Sequence, residues 1–208
     1  MFDIIIEIID FSATTMADTT FAKPQIIPYG EESTDSVTLF DCKWIPSSPR
    51  FVVLGSHIKG HGLIRIYSLG SSPGDGDNKI LHQNSEAMRP SPIKCGTFGA
   101  TTLEDRNLAT GDFDGQLAIW DLERLDQGPI YSIKAHEQII NSIDGVGGLG
   151  IGQGAPEIVT GSRDGHVKVW DIRQKERPVA CMQPKNTTKG TYVSTIIFYS
   201  CDVTCCFI

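Results

Sequence analysis

The sequence lacks the features of a secreted, membrane-embedded or disulfide-stabilised protein. Its six cysteines are scattered, with no Cys-x-x-Cys pair, and this pattern is typical of reduced thiols rather than of a disulfide framework or a zinc site. No apolar run is long enough to span a bilayer. The N-terminal apolar run is broken by Glu7 and closed by Asp10, and it lacks the basic start of a secretory signal. We therefore expect a cytoplasmic protein without a membrane partner.

An excess of basic residues is also missing. Lys and Arg number 18 against 25 Asp and Glu, which gives a net charge of -7. Proteins that bind phosphate backbones usually have the opposite balance, so nucleic acid is not an expected partner. The hydrophobic share of 40% is enough for a sizeable core and argues against wholesale disorder. The 21 glycines and 11 prolines predict many turns between short elements.

The clearest positive feature is an internal repeat. Residues 106–124 read RNLATGDFDGQLAIWDLER and residues 156–174 read PEIVTGSRDGHVKVWDIRQ, with Thr-Gly, Asp-Gly and Trp-Asp pairs recurring 50 residues apart. A weaker copy covers residues 50–70, where Gly55 opens the turn and Tyr67 stands at the predicted Trp position.

Each copy predicts a β-hairpin, because Asp-Gly between strand-forming residues favours a tight two-residue turn. A short strand precedes each hairpin (LFDCKWI, PIKCGTF, IINSID) and another follows it (KILHQ, PIYSIK, PVACM). The sequence therefore predicts an all-β protein with three successive four-stranded sheets, over residues 35–84, 90–134 and 135–184.

The two ends do not follow the repeat. Residues 1–20 are predicted to be an unstructured extension, with Met16 as a second candidate start. Residues 191–208 form an apolar, Cys-rich tail. Two interpretations of this tail are open: one buried strand over 192–199 followed by a short tail, or an alternative or mispredicted end. The second interpretation is favoured, because an exposed apolar tail would promote aggregation.

The hairpins resemble WD40 repeats, each of which forms one four-stranded blade of a β-propeller. The resemblance implies about three blades over residues 21–190 and one further strand after them, an incomplete ring. In that family a His, a Ser or Thr, an Asp and the Trp of one blade form a hydrogen-bonded set. The third blade offers a full set: His136, Thr160, Asp164 and Trp170. The second blade offers a partial set without a His: Thr110, Asp114 and Trp120.

Several strings, among them KPQII, FDCKW, PIKCGTFGAT and LATGDFDG, resemble one group of WD-repeat adaptors. This resemblance implies a non-catalytic scaffold that works with the prefoldin-like co-chaperone machinery in assembling axonemal dyneins and in apoptosis. The implied partners are chaperone-complex subunits, dynein assembly factors or dynein chains. Recognition of histone or other peptide tails is the alternative, since related propellers bind modified peptides.

A candidate protein-binding rim follows from the repeat. Phe113 and Arg163 each precede the turn Asp of their blade, so they occupy equivalent positions on one rim, and His57 with Lys59 would extend it. Aromatic and Arg side chains are enriched at interface hot spots. The alternative is that Phe113 packs on its own hairpin and Arg163 is merely solvated.

Catalytic and cofactor patterns are weak. Gly145, Gly147 and Gly150 match the spacing G-x-G-x-x-G, but a strand rather than the required helix follows them. His57 and His61 lie four residues apart in a glycine-containing turn, which lacks the helical geometry of a paired metal ligand. We therefore expect neither an enzyme nor a cofactor, with a nucleotide-using activity at the glycine loop as the least favoured alternative.

An incomplete ring has a physical consequence. Propellers close with about four to eight blades, and closure protects the sheet edges from foreign strands. We expect three blades and one strand to be marginally stable or to self-associate through open sheet edges.

Overall fold

The computed structural model describes residues 36–71, 79–148, 155–174 and 176–183, together with a few strand segments outside these ranges. Near the N-terminus, β1 (Ile4–Ile5) pairs antiparallel with β2 (Ile26–Ile27). The other residues of the predicted N-terminal extension lie outside the described residues.

Three four-stranded antiparallel sheets follow one another, each in chain order. The first blade consists of β3 (Val37–Trp44), β4 (Arg50–His57), β5 (Gly62–Ser71) and β6 (Lys79–Arg89). The second consists of β7 (Ile93–Thr97), β8 (Leu108–Asp112), β9 (Gln116–Trp120) and β10 (Tyr131–Lys134). The third consists of β11 (Ile140–Val146), β12 (Glu157–Ser162), β13 (Val167–Asp171) and β14 (Ala180–Met182). A 3-10 helix, Leu122–Gln127, joins β9 to β10.

The predicted propeller architecture is confirmed. The first strands of successive blades lie side by side, β3 next to β7 and β7 next to β11, as blades around an axis require. In the part of the chain that the structure describes, these blades do not close a ring.

After the third blade, β15 (Val193–Tyr199) lies beside β11, and Nδ2 of Asn141 donates to the carbonyl oxygen of Val193 at 2.7 Å. The sequence predicted one strand here. The structure instead pairs β15 with a further antiparallel strand, β16 (Asp202–Phe207), so the expected tail is the second arm of a hairpin. This arrangement gives the backbone groups of the tail hydrogen-bond partners.

Apolar side chains fill the spaces between blades. One core cluster joins the first blade to the second through Leu54, Ile64, Ile66 and Trp120, and another joins the second to the third through Leu117, Ile140 and Ile158. Between the first two blades, Oδ2 of Asp41 accepts from the backbone N–H of Gly96 at 2.9 Å. The blades are therefore held by shared cores as well as by polar contacts.

The strand register corrects one assignment in the first blade. Gly55 pairs with Leu63 as Gly111 pairs with Leu117, so Ile66 rather than Tyr67 occupies the position of Trp120. Seven residues separate Gly55 from Leu63, whereas five separate Gly111 from Leu117. Because of this difference, the sequence comparison placed the Trp position one residue too far along the chain. Tyr67 faces the opposite side of the sheet and stacks on Phe51, with ring centroids 5.7 Å apart.

Candidate functional site

The four predicted residues of the third blade form one buried hydrogen-bonded network. His136 precedes β11, Thr160 lies on β12, Asp164 lies in the β12–β13 turn and Trp170 lies on β13. Nε1 of Trp170 donates to Oγ1 of Thr160 at 2.9 Å, and Nε2 of His136 lies 2.8 Å from the same oxygen. Nδ1 of His136 lies 3.0 Å from Oδ2 of Asp164. The structure therefore brings all four side chains together.

The electrostatics of this network favour a neutral imidazole beside an ionised carboxylate. Burial lowers the pKa of His136, although the neighbouring Asp164 carboxylate acts in the opposite direction. Burial alone would raise the pKa of Asp164, but hydrogen bonds from the backbone N–H groups of His166 and Glu137, together with the imidazole, lower it overall. Nδ1–H of His136 then donates to Asp164, and Nε2 accepts from the hydroxyl of Thr160.

Asp164 also shapes the turn that carries Arg163. Its Oδ1 accepts from the backbone N–H of His166 at 2.9 Å, and its Oδ2 accepts from that of Glu137 at 3.1 Å. Gly165 in the same turn has a φ of 83°, a conformation that favours glycine. One carboxylate thus links the buried network to the exposed end of the hairpin.

The partial set of the second blade is smaller than predicted. Nε1 of Trp120 donates to Oγ1 of Thr110 at 2.9 Å, so these two side chains do meet. The third predicted member, Asp114, is exposed, and its hydrogen bonds with other described residues use its backbone N–H and carbonyl groups. Asp112 organises the turn instead, because its Oδ1 accepts from the N–H groups of Asp114 and Gln116 at 2.9 and 2.8 Å. Asp112 ends β8, so its carboxylate lies beside the N–H groups of the turn that follows.

Arg89 occupies the place of the missing His. The backbone N–H of Phe113 donates to the carbonyl oxygen of Pro92, and the N–H of Arg163 donates to that of Ile139 in the same way. Arg89 lies three residues before Pro92, and His136 lies three residues before Ile139. The guanidinium carbon of Arg89 lies 5.0 Å from the centroid of the Trp120 ring, within the range of a cation–π contact. Arg89 lies 31 positions before Trp120, whereas His136 lies 34 positions before Trp170, so the spacing of the third blade does not point to Arg89.

The rim residues have unequal surroundings. Arg163 and Lys59 are exposed, whereas His57 is buried and its Nδ1 accepts from the backbone N–H of Lys59 at 3.2 Å. His57 therefore supports the turn and does not belong to the exposed surface. Phe113 is half-buried and packs against Phe40 of the first blade, with ring centroids 5.2 Å apart. Neither of the two interpretations of Phe113 anticipated this contact between blades.

The glycine-rich segment connects β11 to β12. Gly145 lies in β11, Gly147 has a φ of 80° just after it, and Gly150 lies outside the described residues. A Cβ atom added to Gly99 would overlap the carbonyl oxygen of Gly145. Glycine is therefore needed here for the close approach of the second and third blades. The described glycines allow the two blades to pack closely. After them comes a strand, whereas the dinucleotide pattern would require a helix.

Within the described ranges, the chain has few features of a metal, membrane or thiol site. Among those residues, three or more His, Cys, Asp or Glu side chains nowhere cluster as metal ligands would. No helix in the described part of the chain combines the length and the apolarity needed to cross a membrane. Cys42, Cys95 and Cys181 are free thiols, and burial raises the pKa of Cys95 well above its usual range.

Comparisons with known proteins agree with this geometry. The sequence model of the family described as "WD domain, G-beta repeat" matches residues 127–171, which contain most of the third blade. Dynein axonemal assembly factor 10 of Bos taurus is 58% identical over 164 residues, and that of Homo sapiens is 56% identical over 164. The protein of the same name from Chlamydomonas reinhardtii is 45% identical over 162 residues.

These three matches cover 78–79% of this chain and 43% of each relative. The chain thus spans less than half the length of the curated relatives that it matches. The assembly factor is also called Monad, the protein whose sequence strings this chain resembles.

Solved propellers share the fold at low identity. A chain in the crystal structure of the mitotic checkpoint complex superposes with a TM-score of 0.52 at 16% identity, covering 78% of this chain and 41% of that one. The structure of U3-55K gives a TM-score of 0.50 at 15% identity, covering 77% and 42%. The repeated hairpins, the blade topology and these matches together show that the chain is built of WD40-type propeller blades.

Proposed function

We propose that this chain is a non-catalytic scaffold that binds protein partners during the cytoplasmic assembly of axonemal dyneins. The observation that carries the proposal is the identity of 56–58% with dynein axonemal assembly factors over 79% of the chain. The identity covers a segment as long as the three blades. A shared scaffold of this kind supports a shared role in dynein assembly.

The proposed mechanism is docking on the turns between the second and third strands of the blades. Asp164 holds the turn that carries Arg163, and Asp112 holds the turn that carries Phe113. Both turns rest on blades with shared buried cores. The scaffold loses little conformational entropy when a partner binds, because the turns are already ordered before binding.

More specific partners follow from the resemblance alone. We propose subunits of the prefoldin-like co-chaperone complex, other dynein assembly factors and dynein chains, and a modulating role in apoptosis. Self-association through open sheet edges is a further proposal for the 208-residue chain. The outer strands β6 and β14 support it, because within the described residues each pairs with one neighbouring strand only.

The alternative, recognition of histone or other peptide tails, has weaker support. Methyl-lysine recognition needs a cage of several aromatic side chains around an open cation site. Phe40 and Phe113 do lie together, but Nζ of Lys94 already lies 4.8 Å from the centroid of the Phe40 ring. A second cation would be repelled at this position.

Affinity capture from a lysate of ciliated cells tests the proposal. The tagged 208-residue chain is compared with a tag-only control, and bound proteins are quantified by mass spectrometry. Enrichment of dynein chains and of co-chaperone subunits is the expected result. Enrichment of histones without dynein-assembly proteins would favour the alternative and contradict the proposal.

A further inference from the structure

The first strand of each blade carries a register shift close to the turn end of the blade. The shifts fall between Leu39 and Asp41, between Ile93 and Cys95, and between Ile140 and Ser142. The residues left without a direct partner across the ladder are Phe40, Lys94 and Asn141. Bulges of this kind redirect a side chain away from the regular pleat. In the first two blades they bring an aromatic and a cationic side chain to the boundary between blades.

Phe40, Lys94 and Phe113 form one contact group, here called the bulge cluster. Phe40 meets the Phe113 ring at a centroid distance of 5.2 Å and a tilt of 42°. The Lys94 ammonium lies 4.8 Å from the centroid of the same Phe40 ring. All three side chains are half-buried, so each keeps part of its surface open. The cluster is an apolar platform with a fixed cation beside it.

Three cations at the turn end of the blades lack carboxylate partners among the described residues. Lys94, Arg163 and Lys59 form none of the ion pairs that the structure shows there. Of the carboxylates in these turns, those of Asp112 and Asp164 are engaged by backbone N–H groups, whereas that of Asp114 is exposed beside Phe113. Unpaired cations in a chain with a net charge of -7 stand out from its acidic background. Their charge is available to an anionic ligand.

We propose that the bulge cluster, together with Arg163 of the neighbouring blade, binds an acidic protein segment that also carries an apolar side chain. Carboxylates would lie against Lys94 and Arg163, and the apolar side chain would cover the open part of Phe113. Cation–carboxylate contacts give orientation and association rate, while burial of the aromatic surface gives affinity. This inference rests on the proposed scaffold function and names the chemistry of one partner segment.

Fluorescence anisotropy with a defined probe tests the inference. The probe is a short fluorescein-labelled peptide of alternating Glu and Gly with a central Leu, and its match replaces every Glu with Gln. We expect the Glu peptide to bind the 208-residue chain, to dissociate as NaCl is raised, and to bind at least about fivefold more tightly than the Gln peptide. Equal binding of the two peptides would overturn the proposal.

Charge reversals locate the binding surface. Lys94→Glu is expected to weaken binding of the Glu peptide at least about fivefold, as for a contributing interface residue. Arg177→Glu is the matched control, because Arg177 is an exposed cation in the β13–β14 connection, at the opposite end of the blade. If Lys94→Glu does not fold, Lys94→Met removes the charge and keeps the apolar stem. Unchanged binding in the Lys94 variants, or an equal loss in Arg177→Glu, would overturn the proposal.

The scaffold function and the acidic-segment inference can be contradicted separately. If the wild-type chain captures dynein-assembly proteins and Lys94→Glu captures them equally well, the acidic-segment inference is wrong and the scaffold function stands. If the wild-type chain captures none of them, the scaffold function is wrong, and the peptide titration still decides whether the bulge cluster binds acidic segments.

Discussion

Nε2 of His136 lies 2.8 Å from Oγ1 of Thr160, and this contact fixes the direction of the hydrogen bonds through the third blade. Since the imidazole donates from Nδ1 to Asp164, Nε2 must accept the hydroxyl proton of Thr160. Oγ1 of Thr160 is then free to accept the indole N–H of Trp170. A single chain of donors and acceptors thus runs from the buried Trp to the exposed turn.

Removing the hydroxyl of Thr160 tests this chain. Thr160→Val keeps the shape but leaves Nε1 of Trp170 and Nε2 of His136 buried without their partner, at a cost of about 1–3 kcal/mol for each group. Thr110→Val in the second blade leaves one buried group, Nε1 of Trp120, without its hydrogen-bond partner. Urea unfolding should therefore show a larger loss of unfolding free energy for Thr160→Val than for Thr110→Val. Equal losses would contradict the four-membered network.

The pH dependence of stability follows from the lowered pKa of His136. The unfolded imidazole, with a pKa of about 6.5, binds a proton more readily than the folded one. The unfolding free energy should therefore fall as pH drops below that value, and fall further once Asp164, whose folded pKa is also lowered, titrates in the unfolded chain. Urea midpoints between neutral and mildly acidic pH measure the effect. His136→Gln should flatten the first part of this dependence; an unchanged slope would exclude His136 as its source.

Asp112 and Asp114 give a matched pair within one turn. Asp112→Ala removes an acceptor of two backbone N–H groups, and by analogy with helix caps this costs about 0.5–2 kcal/mol. Asp114→Ala removes an exposed carboxylate and should change the unfolding free energy by less than about 0.5 kcal/mol. Thermal or urea denaturation of the two variants measures the change in unfolding free energy that each substitution causes. A larger effect of Asp114→Ala would restore it to the network that the sequence predicted.

The contact between the second and third blades depends on Gly99. A Cβ atom there would overlap the backbone of Gly145, so Gly99→Ala should push the turn after β7 away from β11 and cost about 1–3 kcal/mol. Gly128→Ala serves as the comparison, because its φ of 85° is strained for Ala but nothing lies within 4 Å of the added atom. Hydrogen exchange should show faster opening of β7 and β11 in Gly99→Ala only. Equal protection in the two variants would contradict the close approach.

The parts of the fold that repeat were predictable. The recurring Thr-Gly, Asp-Gly and Trp-Asp pairs identified the hairpins of the second and third blades, and with them the contacts between Thr and Trp. The first blade was harder, because its turn is longer and its Thr–Trp pair is replaced by the apolar Leu54 and Ile66. An apolar pair of this kind satisfies the core without leaving a polar group unpaired.

The contacts between blades could not be read from the sequence. Arg89 replaces a His with a chemically different partner for Trp120, so a search for His does not find it. Phe40, Lys94 and Phe113 meet because two bulges shift the register, and a bulge leaves no mark in a single sequence. Local periodicity reports on strands and turns, whereas these residues are defined by how neighbouring sheets pack.

The most direct test of the account is quantitative affinity capture by the wild-type chain and by a rim variant, Phe113→Ala with Arg163→Glu, alongside Arg177→Glu as the control. We expect the wild type and Arg177→Glu to capture dynein chains and co-chaperone subunits, and the rim variant to lose most of that capture. Retention of the same partners by a folded rim variant would contradict docking on the turns, and their absence from the wild-type sample would contradict the scaffold function itself.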